Sequence, residues 1–111
     1  MTILRPDSGW KINGTTTHPG QVLLHDFLLP LNITARALGL QTKMPATRVG
    51  EILRGRRSVT PDTALRLARL FGTSAEFWLN LQAAYDLSHA RMEREVAIMQ
   101  EVTPLPRSSA A

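Results

Sequence analysis

Apolar residues recur along this chain at helical spacing, and no stretch alternates for long. Ala64, Leu67, Ala68 and Phe71 fall at i, i+3, i+4 and i+7, with Leu65 beside them. Thr60 suits the N-cap of that helix and Pro61 its first position, Asp62 favours the positive end of its dipole, and Gly72 stops it. The next helix is predicted to open with a capping box, Thr73 with Glu76, and to turn Phe77, Trp78, Leu81, Ala84 and Tyr85 inward. Upstream, a helix beginning at His18-Pro19-Gly20 carries Val22, Leu23 and Phe27 on one face, and Pro30 is expected to end it. Thr34 should cap a short helix reaching Thr42. A second short helix, Pro45 to Arg54, should bury Val49, Ile52 and Leu53 and stop at Gly55. Arg66 and Arg69 lie off the stripe of their helix and are expected to face solvent.

A last helix is predicted over Ser88 to Glu101, where Met92, Val96 and Met99 repeat at i, i+4 and i+7 among Arg91, Glu93, Arg94, Glu95 and Glu101. Such a stripe either folds back on the core or meets a second copy. The fold class is therefore all-α. Residues 1–17 read as a flexible arm, punctuated by Pro6, Gly9 and Gly14, and 18–87 as the globular part. Residues 88–103 read as a C-terminal helix for dimerisation or partner contact, and 104–111 as a disordered tail. Trp10 and Ile12 in the arm either pack on the chain's own surface or anchor a partner.

At 111 residues the chain is long enough for one modest core. It has no cysteine, no apolar run of membrane-spanning length and no apolar leader, which fits a cytoplasmic protein. His18, His25 and His89 have no metal-ligand spacing. No glycine-rich phosphate loop or serine elbow is present, so neither an enzyme, a metal nor a cofactor is expected. His18 reads as part of the start of the first helix.

Charge changes the picture more. Between Ile33 and Val59, six basic residues oppose the single acid Glu51, a balance of +5 where the whole chain carries +4. Cations concentrated on one helical pair are the footprint of a polyanion-binding surface, because each phosphate contacted releases condensed counterions. Gly39 on the first short helix, Met44 after the turn, and Val49 and Ile52 on the second have the spacing that packs two helices steeply. This is a helix-turn-helix pattern, and the second helix would enter the major groove N-terminus first. Ala46 and Thr47 are then placed for base edges, with Pro45 leading them. Arg48 and Arg54 can reach phosphate or guanine. Thr34, Arg36 and Lys43 flank one side, Arg56 and Arg57 the other, and Glu51 shares the outer face. Gly50 either is tolerated drift or allows close approach to a groove floor.

Two segments, HPGQVLLHDFL (His18–Leu28) and TALRLARLFGTSAEFWLNLQAAYDL (Thr63–Leu87), closely resemble the HigA family of antitoxins, within the lambda-repressor-like (XRE) superfamily. The likeness spans His18 to about Leu87. It implies a five-helix lambda-repressor-like domain, here with the additional C-terminal helix. It also implies an antitoxin that neutralises a HigB-type mRNA-cleaving ribonuclease toxin and represses its own operon, as a homodimer on a palindromic double-stranded operator. By position, Thr47 and Arg48 match the start of the family's recognition helix, and Gly55-Arg56-Arg57 its glycine–basic–arginine loop. The chain departs from the family at Ala35, Thr42, Lys43 and Gly50. Lys43 stands where a glycine is usual, so it must either adopt a left-handed conformation at a cost of about 1–2 kcal/mol or let the turn re-form. The missing side chains at 35 and 50 remove two candidate DNA contacts. A free-standing repressor without a toxin, or a toxin-binding module whose DNA face has decayed, are the alternative readings.

Overall fold

A computed structural model describes residues 11–12 and 15–106. Trp10, the rest of the arm before it and the tail from 107 onward lie outside the described residues. Two short strands, β1 (Lys11–Ile12) and β2 (Thr15–Thr16), pair antiparallel, Lys11 opposite Thr16 and Ile12 opposite Thr15. The buried Thr16 donates its N–H to the Ser88 hydroxyl at 3.3 Å, tying this ribbon to the last helix.

Five helices follow, and the protein is all-α in class. The first, α1, starts as Pro19–Val22, widens to a π-helix over Leu23–Leu28 and closes as Leu29–Leu31. Pro30 therefore does not end it. In an α-helix the proline ring would strike the carbonyl four residues back. Here the preceding turn is wide, with Leu29 N–H bonded to Leu24 O, and the ring is accommodated. The helix stops two residues later, where Asn32 turns left-handed at φ 57° and the Ile33 N–H returns to Leu28 O at 2.9 Å.

Helix α2 (Ala35–Thr42) begins as expected, the Thr34 hydroxyl accepting from Ala37 N–H at 3.0 Å. Helix α3 covers Ala46–Leu53. Helix α4 (Pro61–Phe71) has Thr60 as its cap and Gly72, at φ 75°, as its stop. Its buried stripe is narrower than its set of apolar residues: Ala64 and Leu67 are inside, whereas Leu65 is 63% exposed.

Helix α5 runs for 27 residues, Ala75–Glu101. Its cap is Ser74, which accepts from Phe77 N–H at 3.0 Å, and not Thr73. The Thr73 hydroxyl instead accepts the Trp78 indole N–H at 2.7 Å, so the anticipated capping box gives way to a core hydrogen bond. The additional C-terminal helix continues α5 without a break, since neither glycine nor proline interrupts 75–101. Ala84, expected inside, is exposed.

The core gathers Val22, Leu23 and Leu28 of α1, Leu38, Val49 and Ile52 of α2 and α3, and Leu67, Trp78 and Leu81 of α4 and α5. Trp78 is its fully buried centre, with Phe27 and Phe77 at ring distances of 5.1 and 4.9 Å. Beyond Ser88, α5 leaves this core, which stretches the molecule to 54 × 29 × 27 Å. Among the described residues no helix is long and apolar enough to cross a membrane.

Candidate nucleic-acid interface

The turn between α2 and α3 is built from backbone closures. Lys43 adopts the left-handed conformation, φ 59° and ψ 40°, and Met44 N–H returns to Gly39 O at 3.0 Å. A Cβ on Gly39 would stand 3.0 Å from Met44 O and 3.6 Å from the Val49 side chain, so a small residue is required where the helices cross. Met44 is driven into the core while Pro45, extended at ψ 146°, redirects the chain into α3. The turn forms with lysine at the left-handed position, so the backbone strain anticipated there is accepted, not avoided.

This geometry leaves Pro45, Ala46 and Thr47 exposed at the leading end of α3, with Val49 and Ile52 beneath them in the core. Thr34 and Arg36 are exposed at the start of α2, Lys43 at the turn, and Arg54, Arg56 and Arg57 at the trailing side. Five of the six cations of the segment are thus exposed along this helical pair and its flanks, and Arg48 is half-buried.

Two of these arginines are engaged within the chain. Arg48 Nη1 pairs with Asp62 at 3.0 Å, and Arg57 Nε donates to Glu51 at 2.8 Å. Asp62 also receives Arg66 Nε at 2.8 Å, and its carboxyl is held below the usual carboxylate range, chiefly by that bond. Surface pairs of this kind contribute about 0–1 kcal/mol, so an approaching phosphate can displace them. Glu51 on the outer face is thereby occupied by Arg57. Arg54 folds over Gly50, whose missing Cβ would lie 3.3 Å from the guanidinium, so within the chain the glycine makes room for this arginine. Arg66, expected in solvent, donates to Thr42 O at 3.0 Å and so closes the C-terminus of α2.

The loop after α3, which carries Arg56 and Arg57, is held from behind by two polar side chains. Gln21 donates to Leu53 O at 2.9 Å, and Gln82 accepts from Val59 N–H at 2.8 Å while donating to Asp86 at 2.9 Å. The His18 ring lies against Gly55 at the head of this loop, its Cγ 3.5 Å from where a Cβ would stand. It also caps α1, as its position suggests, with Nδ1 accepting from Gly20 N–H at 2.8 Å. Burial holds its pKa below the ordinary histidine value, although Asp86 pulls the other way. Sequence reasoning missed Gln21, Gln82, Asp62 and Arg66 because each acts across a tertiary contact that no local pattern records. Among the described residues no group of His, Cys, Asp or Glu could hold a metal ion.

Residues 24–78 match the helix-turn-helix family. Virulence-associated protein I of Dichelobacter nodosus is 44% identical over 78 residues, covering 70% of this chain and 72% of that protein. An addiction module antidote protein of the HigA family from Coxiella burnetii is 45% identical with a TM-score of 0.78, covering 82% of this chain and 99% of the other. Pseudomonas aeruginosa antitoxin HigA, solved with the higBA promoter, is 40% identical with a TM-score of 0.79, covering 81% and 98%. The chain belongs to the HigA-type antitoxins, XRE-type helix-turn-helix regulators that bind DNA and have no catalysis of their own.

Proposed function

We propose that this protein represses its own operon by placing α3 in the major groove of a palindromic operator, and that it neutralises a HigB-type mRNA-cleaving toxin. The observation that carries the DNA part is the exposed leading end of α3, Pro45-Ala46-Thr47, with exposed Arg36 and Lys43 on α2 and the turn before it and Arg54, Arg56 and Arg57 after it. Phosphate contacts from these cations set register, and Thr47 with Arg48 reads base edges. The Pseudomonas relative solved with the higBA promoter supports a DNA-binding role.

A homodimer would place two such surfaces on half-sites about one helical turn, or a multiple of it, apart. The second copy covers the C-terminal stripe of α5, where Met92, Val96 and Met99 are 69%, 70% and 73% exposed. Val96→Glu should then yield a monomer by sedimentation and lose cooperative operator binding; a dimer that survives the change would move the interface elsewhere.

The experiment for the whole reading combines a mobility shift on the promoter upstream of the gene with co-expression of the neighbouring reading frame. A retarded duplex and rescue from a toxic ribonuclease are expected. No shift even in dilute buffer removes the repressor; rescue without a shift leaves a toxin-binding module alone; a shift without a toxin leaves a free-standing repressor.

A further inference from the structure

The loop from Gly55 to Val59 is pinned at both ends, by different helices. At its start Gly55 N–H returns to Ile52 O at 3.0 Å and Arg56 N–H to Glu51 O at 2.8 Å, both carbonyls of α3. At its end the Val59 N–H points inward and its partner comes from α5, where Gln82 Oε1 accepts it at 2.8 Å. Val59 is 3% exposed and Gln82 6%, so bulk water is kept from this bond. Arg56, Arg57 and Ser58, carried between the fixed ends, are exposed.

The Gln82 amide has one orientation that satisfies its surroundings. Its Nε2 donates to Asp86 Oδ1 at 2.9 Å, four residues along the same helix. Turned over, the amide would set its NH2 against the Val59 N–H and its oxygen against a carboxylate. Asp86 therefore decides which end of Gln82 meets the loop. An amide suits this place because it accepts and donates at once. An apolar side chain here leaves a buried N–H without an acceptor, which is costly.

We infer that Gln82, oriented by Asp86, is a positioning residue for DNA binding: its bond to the Val59 N–H holds the loop end so that Arg56 and Arg57 stand where a duplex backbone meets them. This rests on the DNA-binding reading above. The pair between Arg57 and Glu51 is a surface contact that a phosphate can displace. Once Arg57 turns to DNA, the loop is held by its backbone bonds, and the one at its far end belongs to α5.

The test uses the full chain and the duplex of its own promoter, with salt titrations at neutral pH. Gln82→Leu removes the bond. Gln82→Glu keeps an acceptor for Val59 but sets a second carboxylate against Asp86, which drives the side chain off the loop. Gln82→Glu combined with Asp86→Asn restores both bonds with the donor and acceptor on α5 exchanged, and the net charge equals that of the unaltered chain. In both single variants the slope of log affinity against log salt should become shallower by about 0.9 for each phosphate contact that Arg56 and Arg57 give up. The double variant should recover the slope. A role in packing alone predicts that Gln82→Glu and the double variant behave alike, since the same glutamate fills the same space in both.

Without DNA, the Val59 amide should exchange faster in Gln82→Leu and slow again in the double variant, and the NMR signals of the Arg56, Arg57 and Ser58 amides should move with it. Circular dichroism checks that each variant is folded; were Gln82→Leu to unfold, the comparison of Gln82→Glu with the double variant decides. Slopes that do not change in the single variants, or that the double variant does not recover, would overturn the inference. Absence of any duplex binding by the unaltered chain would sink the repressor reading, while the Val59 and loop amides still decide whether Gln82 positions the loop.

Discussion

The backbone of Gly20 rests directly on the carbonyl group of Ile52: a Cβ at position 20 would collide with the oxygen and lie 2.7 Å from the carbon. The first turn of α1 is thereby pressed onto the C-terminal end of α3. Because the obstacle is backbone, no side-chain rotation relieves it. Gly20→Ala is expected to cost about 3 kcal/mol, at the upper end of overpacking penalties. Urea denaturation measures this, and a loss below about 1 kcal/mol would mean that α1 slides freely on α3.

Lys43 carries two opposed roles. Its left-handed backbone is strained, and its ammonium belongs to the basic surface. Lys43→Gly is expected to raise stability by about 1 kcal/mol. The same change should make the salt dependence of DNA binding shallower by about 0.9 per site. Denaturation and binding titrations on one preparation check both signs, and a stability gain with no change in slope would take Lys43 off the phosphate path.

Arg48 and Asp62 form a pair that DNA must compete with. Arg48→Ala is expected to weaken operator binding by about 1–3 kcal/mol and to relax sequence preference. Asp62→Asn removes a negative charge next to Arg48 and frees that arginine, so it should tighten binding to any sequence about twofold. Anisotropy titrations with operator and scrambled duplexes distinguish the two. Weaker binding in Asp62→Asn would show instead that the carboxylate aims Arg48 at its target.

The depressed pKa of His18 makes stability depend on pH. The unfolded chain, with a histidine near 6.5, binds the proton more readily than the folded one. The contribution of His18 is therefore complete above about 6.5 and is lost as pH falls through the lower folded value. Asp62 acts in a separate window that begins only below its ordinary value of 3.8, because its folded pKa is also depressed. Denaturant midpoints should fall on mild acidification in the unaltered chain and fall less in His18→Asn. Parallel curves would assign the loss to another group.

Helix boundaries with strong local chemistry could be read from residues alone. Thr34, Thr60 with Pro61, and Gly72 all act where their types predict, whereas nothing in a lysine points to the left-handed turn at Lys43, which only the family resemblance raised. Pro30 misled because the wide turn that shelters it is a property of the whole helix, not of its neighbours. Thr73 and Ser74 are both cap-forming types, and the choice between them is settled by an indole N–H elsewhere in the core. Leu65 and Ala84 belong to the apolar set of their helices but fall outside the arc that neighbouring elements cover. For the candidate interface, period alone placed Ala46 and Thr47 outward and Val49 and Ile52 inward. The Asp62 partner of Arg48, the Thr42 carbonyl that Arg66 reaches and the Gln82 that holds the 55–59 loop were hidden because each lies 14 or more residues away along the chain.

The unbroken course of α5 ties two distant surfaces to one helical phase. Its buried half clasps the core through Trp78 and Leu81, and its outer half carries the apolar stripe. With no hinge between them, each residue added or removed near Ser88 would swing the stripe by about 100° around the axis and shift it by about 1.5 Å. The spacing of recognition helices in a pair joined there is consequently a matter of counting residues along a single rod, and a one-residue deletion would detune it without touching any side chain that faces DNA.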